Sequence, residues 1–338
     1  MGRTAKDKCL LCKVNESDKK NSHWIPAAML KSMVGKRDNE ESYQFSNYQK
    51  RKLDIYYGRD NLKNTDTIRK QNHYSLNFIF CFDCEDKLGK IEGKVIPIIQ
   101  DEIRLDNKKP NYEELSNDEI TFKKCLRLDN HLFRLFFYSV IWRFALIYRI
   151  EDDIKLISEE KEEELRKILN EFLNKDLNKI SSDIPDLAFQ VFTADSFEDK
   201  TEGTVYSEDI YSDPMICFAN EFIIFYYENG YAVKHNYSLP INTLVESEMA
   251  LNDINDHPKI GFIDNFHFQA INEKMISDAV TAILNSLVKK VCDCTGLSLI
   301  NSRYNLAKIG MDIHQKTGEN LITAFEEAAD LICKGEPK

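Results

Sequence analysis

The chain has 338 residues, 43% of them hydrophobic, which is enough to bury one large core or two ordinary ones and excludes a disordered polymer. Its formal net charge of -11 is unevenly placed: residues 1–96 hold 19 Lys and Arg against 13 Asp and Glu, and the remaining 242 hold 26 against 43. A basic segment joined to an acidic one reads either as a nucleic-acid-facing module on an acidic body or as a fluctuation within a lysine-rich composition.

No amino-terminal run combines a basic start, an apolar stretch and a small-residue cleavage site, which argues against secretion. Nine cysteines without such a signal point to reduced thiols and metal binding rather than a disulfide framework, and place the chain in the cytoplasm.

In chain order, residues 1–97 are rich in cysteine and aromatic side chains and lack a long periodic helix, so they read as a small metal-stabilised unit with an inserted loop. Cys9-x-x-Cys12 and Cys81-x-x-Cys84 each put two thiols on one tight turn. Together they offer the four soft, tetrahedral ligands that a structural zinc prefers; the alternative is four core cysteines. Cysteines at all four positions would leave zinc no open site, and therefore no chemistry of its own.

His23 lies eleven residues past Cys12 in Ser22-His23-Trp24-Ile25-Pro26, a short strand running into a turn. Three uses are open to it: general base, turn-capping structural histidine, or zinc ligand in place of one cysteine. Between the Cys pairs, "ESYQFSNYQKRKLDIYYGRDNLKN" interleaves Tyr48 and other rings with Lys50, Arg51, Lys52 and Arg59. That is the composition of a nucleic-acid surface, and equally of a β-hairpin packed on the zinc unit. "CEDKLGKIE" reads as a helix whose Glu85, Asp86 and Glu92 are either ligands for a hard cation or an ordinary solvated face.

Residues 98–120 are polar, contain a Lys-Lys-Pro-Asn turn signal and read as a linker into a second domain at 121–338. "HLFRLFFYSVIWRFALIYRI" has membrane-spanning length, but Arg134, Arg143 and Arg149 interrupt it; a buried core helix capped at Asp129 or Asn130 is expected, with a buried arginine paired to an acid at Trp142-Arg143. An amphipathic helix capped at Ser158 follows. "LAFQVFT", "PMICFAN", "FIIFYY" and "YAVKH" read as an antiparallel meander with a hairpin turn at Asn229-Gly230, and "KIGFIDNFHFQAI" as a further strand. Helices return at "NEKMISDAVTAILNSLVKKV" and "GENLITAFEEAADLI", so the second domain is α+β with helices flanking the meander. Cys125, Cys217, Cys292, Cys294 and Cys333 have no histidines at ligand spacing and read as core thiols.

With these residues in view, roughly the first ninety positions resemble the HNH (His-Me finger, ββα-metal) nuclease family, many of whose members are pinned by two Cys-x-x-Cys pairs. Ser22-His23-Trp24-Ile25-Pro26 resembles that family's Asp-His-Ile-x-Pro, sharing the histidine and proline in place and an isoleucine one position later. The resemblance implies a treble-clef or ββα finger with His23 as general base and Mg²⁺ or Mn²⁺ on the scissile phosphate. The chain departs from the pattern with Ser22 at the aspartate position and Glu85 where many members have histidine; Asn77 and His73 are the other candidate cation ligands. "FYSVIWRFALI" further resembles a bacterial group that joins a Ser-His-Ile-Ile-Pro finger and a Leu-Cys-x-x-Cys-Glu element to a Ser-Ile-Leu-Trp-Arg helix.

The resulting expectation is a metal-dependent endonuclease acting on double-stranded DNA, of the kind found in restriction and phage-defence effectors. The acidic domain would regulate it, oligomerise it, or recognise a small molecule or protein, with no membrane association. The competing expectation is a finger that binds nucleic acid or protein without hydrolysis.

Overall fold

The computed structural model describes residues 3–30, 41–46, 52–57, 75–116, 120–177, 184–195, 204–230, 251–317 and 321–335. The "YAVKH" strand expectation lies outside them.

The amino-terminal unit is built from a short antiparallel pair, β1 (Ser22–His23) with β4 (Ser75–Leu76), followed by helix α1 (Phe82–Ile96). Cys81 occupies the cap position of α1 without capping it through its side chain; the Phe82 N–H instead donates to Asp18 Oδ1 at 2.8 Å, so a distant loop starts the helix. At Pro97, which has no amide to extend the ladder, the chain passes into a π turn (Pro97–Asp101) and two 3-10 turns (Glu102–Arg104 and Asp106–Asn111). The segment expected as a linker thus carries regular structure, ending in strand β5 (Tyr112–Ser116) paired with β6 (Thr121–Cys125).

Helix α2 (Asn130–Asp152) runs through the middle of the molecule, with every side chain from Phe133 to Tyr148 buried. Asp129 caps it, accepting from the His131 and Leu132 amides, and Asp153 ends it in the left-handed conformation. A helix apolar all round must be covered all round. Its two central arginines are buried because they are paired: Arg134 meets Asp186 at 2.5 Å and Arg143 meets Glu92 at 2.9 Å. Among the described residues, no helix is long and apolar enough to cross a membrane.

Helix α3 (Glu159–Phe172), capped by Ser158, buries Leu165, Ile168, Leu169 and Phe172. Glu162 forms a bidentate pair with Arg149 of α2, both contacts at 2.7 Å.

The remaining strands are β2 (Glu41–Ser46), β3 (Lys52–Tyr57), β7 (Phe189–Ala194), β8 (Thr204–Ser212), β9 (Met215–Asn220), β10 (Phe222–Tyr226) and β11 (Lys259–Ile263). Together with β5 and β6 they form a nine-stranded sheet in the order β3-β2-β8-β9-β10-β7-β11-β6-β5. It is antiparallel except where β11 lies parallel to β7 and where β2 meets β8. The strands "PMICFAN" and "FIIFYY" are continuously apolar because both faces are covered. Met215, Cys217, Ala219, Phe222, Ile224 and Tyr226 join the core around α2, whereas Ile216, Phe218, Ile223 and Phe225 face the amino-terminal half of helix α4 (Asn265–Thr295). Gly261 lets β11 pass Phe192: a Cβ there would lie 2.4 Å from the ring.

The stretch "KIGFIDNFHFQAI" is strand only to Ile263, a correction to the expected single strand. Asp264 accepts from the His267 amide at 2.8 Å and starts α4, so this cap overrides the aromatic β-like composition that follows. The distal half of α4 packs with α5 (Leu299–Thr317) and α6 (Leu321–Lys334) around Val288, Val291, Leu306, Ile313 and Ala328. Cys294 and Cys333 are not core thiols: they form a disulfide, because the ends of α4 and α6 bring their Cα atoms to 5.5 Å across 39 residues of sequence. The chain is therefore an α+β protein with helices before and after a largely antiparallel sheet.

Candidate metal centre and the polar cluster beside it

The first Cys pair sits on a turned loop closed by the Lys8–Glu16 bridge, in which Lys13 takes φ 58 and its amide donates to the Cys9 carbonyl. The second pair occupies the cap position and first turn of α1. These two turns converge: the sulfurs of Cys9, Cys12, Cys81 and Cys84 all lie within 4.8 Å of one another, with Cys12 and Cys81 at 4.0 Å. Zinc–sulfur bonds of about 2.3 Å in a tetrahedron put sulfurs a little under 4 Å apart, so the four thiols fit a metal ion such as zinc with little movement.

Their electrostatics suit a cation. The Cys84 thiol holds Cys9 down to about 5 by hydrogen bonding, and the same bond raises Cys84, because one negative sulfur discourages a second beside it. Burial raises Cys81, whose sulfur accepts from Asn15 Nδ2 at 3.6 Å. Four thiolates are tolerated together only around positive charge.

The expected reactive residues cluster beside this centre. His23 is half-buried on β1. Its amide donates to Glu85 Oε1 at 3.2 Å, and its carbonyl accepts from Arg143 Nη1 at 3.1 Å. The same Arg143 nitrogen holds Glu92, while Nε and Nη2 bind the Ser139 carbonyl and hydroxyl. An α1 carboxylate and an α2 guanidinium thus grip the His23 main chain from both sides. Burial pushes the Glu85 carboxyl up, against the opposing pull of Arg143, the His23 amide and the Ser22 hydroxyl. Ser22 Oγ lies near enough to favour the charged form, but neither it nor Glu85 Oε2 reaches a partner of hydrogen-bond geometry.

Of the other expected ligands, Asn77 and Asp86 do not join this cluster. Asn77 is exposed, and its Oδ1 accepts the Asn21 amide at 3.0 Å, a turn-fixing role that suits Asn21 at φ 54. Asp86 pairs with Lys90 on the solvated side of α1. His73, Tyr48, Lys50, Arg51 and Arg59 lie outside the described residues; Lys52 opens β3, and β2 and β3 pair as a hairpin. Among the described residues, no second group of three His, Cys, Asp or Glu side chains could hold a metal. A Mg²⁺ ion takes only one or two protein oxygens beside waters and substrate phosphate; Glu85 Oε2 and Ser22 Oγ lack hydrogen-bond partners here, and the Arg143 guanidinium acts on the Glu85 carboxylate.

What the sequence did not reveal is how the body holds the finger. Trp24 packs edge-on against Phe144 and Phe80 stacks on Trp142, so finger and α2 share one core. Lys13 pairs with Glu163, and Arg166 donates to the Leu11 carbonyl inside the first Cys loop. At the β9–β10 turn, Asn220 Nδ2 donates to the Met29 carbonyl at 2.6 Å, and the adjacent, buried Glu221 meets Arg104 at 3.2 Å. The visible signal was Trp142-Arg143 inside an apolar run; the contacts to α3 and the turn are long-range and leave no local trace.

Glu221 yields a pH prediction. Burial raises its carboxyl from 4.5 to about 7 despite Arg104. A raised acid pKa means that the folded state holds the proton longer, so stability falls as pH rises through that window and is unaffected below it. Unfolding of the wild type should lose up to about 3 kcal/mol between those pH values, and Glu221→Gln should flatten the curve. Parallel curves for the two proteins in urea titrations across pH would refute this origin.

Comparison of the chain with family models, curated proteins and solved structures returns no match. What fold and site define is an α+β protein with a four-cysteine centre able to hold a metal ion and a buried polar cluster against its side.

Proposed function

We propose that the chain is an HNH-like endonuclease acting on DNA, in which zinc at Cys9, Cys12, Cys81 and Cys84 staples a treble-clef or ββα finger and His23 serves as general base. The observation that carries this reading is the two-sided grip on His23: Glu85 takes its amide and Arg143 its carbonyl, on a strand paired with β4, which precedes the zinc-ligand helix. A fixed backbone sets the Cα–Cβ bond from which the imidazole turns, and preorganisation is what a base needs to meet an attacking water. Histidine is the side chain whose ordinary pKa suits that transfer near neutral pH.

A second reading has its own observation. Glu85 is drawn to a buried guanidinium, and a serine stands before His23 where the nuclease pattern has a carboxylate, which suits a finger that binds DNA or protein and does not cut.

One assay separates them: the purified full chain with supercoiled plasmid and single-stranded DNA in Mg²⁺, Mn²⁺ or EDTA, beside His23→Ala. The nuclease reading expects cleavage that His23→Ala lowers by about 100-fold or more, the usual contribution of a general base. Cleavage that survives the substitution would remove His23 from the mechanism, and DNA binding without cleavage in any metal would select the binding module.

A further inference from the structure

Helix α5 has two apolar stripes, and the molecule uses one. Ser302, Leu306, Gly310 and Ile313 face inward. Gly310 locks that orientation, since a Cβ there would lie 2.6 Å from the Phe325 ring, so α5 cannot roll to hide its other side. On that other side Ile300 is 77% exposed, Tyr304 66% and Met311 42%, with Ala307 exposed between them and Leu297 just before the helix. Within the helix, successive separations of four, three and four residues from Ile300 to Met311 follow the seam of a coiled coil, with Leu299, 53% exposed, beside its start.

The flanks select the occupant. The basic residues of α5 include Arg303, Lys308 and Lys316, all exposed; its one carboxylate, Asp312, is half-buried and paired with Lys316. The Arg303 guanidinium is held by the neutral amide of Asn285, which orients it without cancelling its charge. A second α5 laid on the first would set Arg303 and Lys308 against their own kind. The acidic amphipathic helix α3 of another copy has its apolar face buried at home.

We infer that the exposed seam of α5 is the docking site for an amphipathic helix of a partner protein whose apolar a and d residues are flanked by carboxylates. Seam residues supply the apolar contact, while Arg303 and Lys308 set orientation and select against basic helices. The site lies on the carboxy-terminal helices and is independent of the function assigned to the finger.

The probe is a synthetic helical peptide with Leu at a and d and Glu at e and g, titrated against the full chain by fluorescence anisotropy beside a counterpart carrying Lys at e and g. The Glu peptide should bind about 10-fold or more tightly than the Lys peptide, and more weakly at high salt. Ile300→Asp with Tyr304→Asp should cost at least about 10-fold, with an unchanged melting profile because both positions are solvent-facing. Arg303→Glu with Lys308→Glu should reverse the peptide preference, a readout that a merely sticky surface would not give. Equal binding of the two peptides, or no binding of the Glu peptide, overturns the proposal. So does preferential capture by phosphatidylserine vesicles, or a wild-type dimer that Ile300→Asp dissolves.

Discussion

Replacing Arg143 with methionine is expected to destabilise the folded chain by about 3–5 kcal/mol, the usual result of stranding buried charge. Arg143 is 1% exposed, and its fork binds Glu92, the His23 carbonyl and Ser139. Methionine fills the space and leaves Glu92 unpaired, the His23 carbonyl unbonded and the Glu85 carboxyl without the guanidinium that favours its charged form. Arg143→Lys should recover only part of the loss, because an ammonium cannot reproduce the planar fork. Adding Glu92→Gln to Arg143→Met should restore about 1 kcal/mol or more by removing the stranded charge. Urea unfolding with equal m-values is the measurement. A single-mutant loss below about 1 kcal/mol would mean that water reaches these groups and the grip on His23 is not rigid.

Loss of the four-cysteine centre is expected to be larger still. The purified chain should carry one zinc per molecule by elemental analysis, and Cys84→Ser or exhaustive chelation should remove it. Structural zinc in small fingers contributes on the order of 10 kcal/mol, more than most domains hold in reserve. The damage should spread beyond the finger, because Cys9, Trp24 and Phe80 belong to the same buried cluster as α2. Retention should also depend on pH with a definite sign. Zinc binding displaces the thiol protons into solvent, so acid competes with the metal for the sulfurs while mild alkali does not. A chelated, metal-free wild type that melts like the zinc-loaded protein would remove zinc from the account.

How much was legible in advance differs from one element to the next. The two Cys-x-x-Cys pairs were readable because metal ligation uses local spacing: each puts two thiols three residues apart on one turn of backbone. Helices α2 and α3 were readable for the same kind of reason: Asp129 and Ser158 are local caps, and burial or amphipathicity shows in the periodicity. Helix α5 was not expected, since its two apolar stripes blur the one-sided pattern by which a surface helix is recognised. Strands β5 and β6 were missed because "YEELS" and "TFKKC" have little β-branched or apolar content; what makes them strands is pairing with each other and with β11. The disulfide was missed, and the thiols misread, because nothing local relates Cys294 to Cys333.

By itself, the sequence determined what depends on neighbours along the chain: the cysteine turns, the caps, the buried central helix, the apolar strands and the presence of a histidine before Trp24-Ile25-Pro26. Only the tertiary structure decided which charges meet. It set Glu85 and Arg143, from two different helices, on the two sides of His23, tied Asn77 to a backbone amide, and left one seam of α5 in solvent. The physical reason is that local propensity acts over a few residues. A buried charge is decided instead by whatever partner the fold carries to within about 3 Å, however distant in sequence.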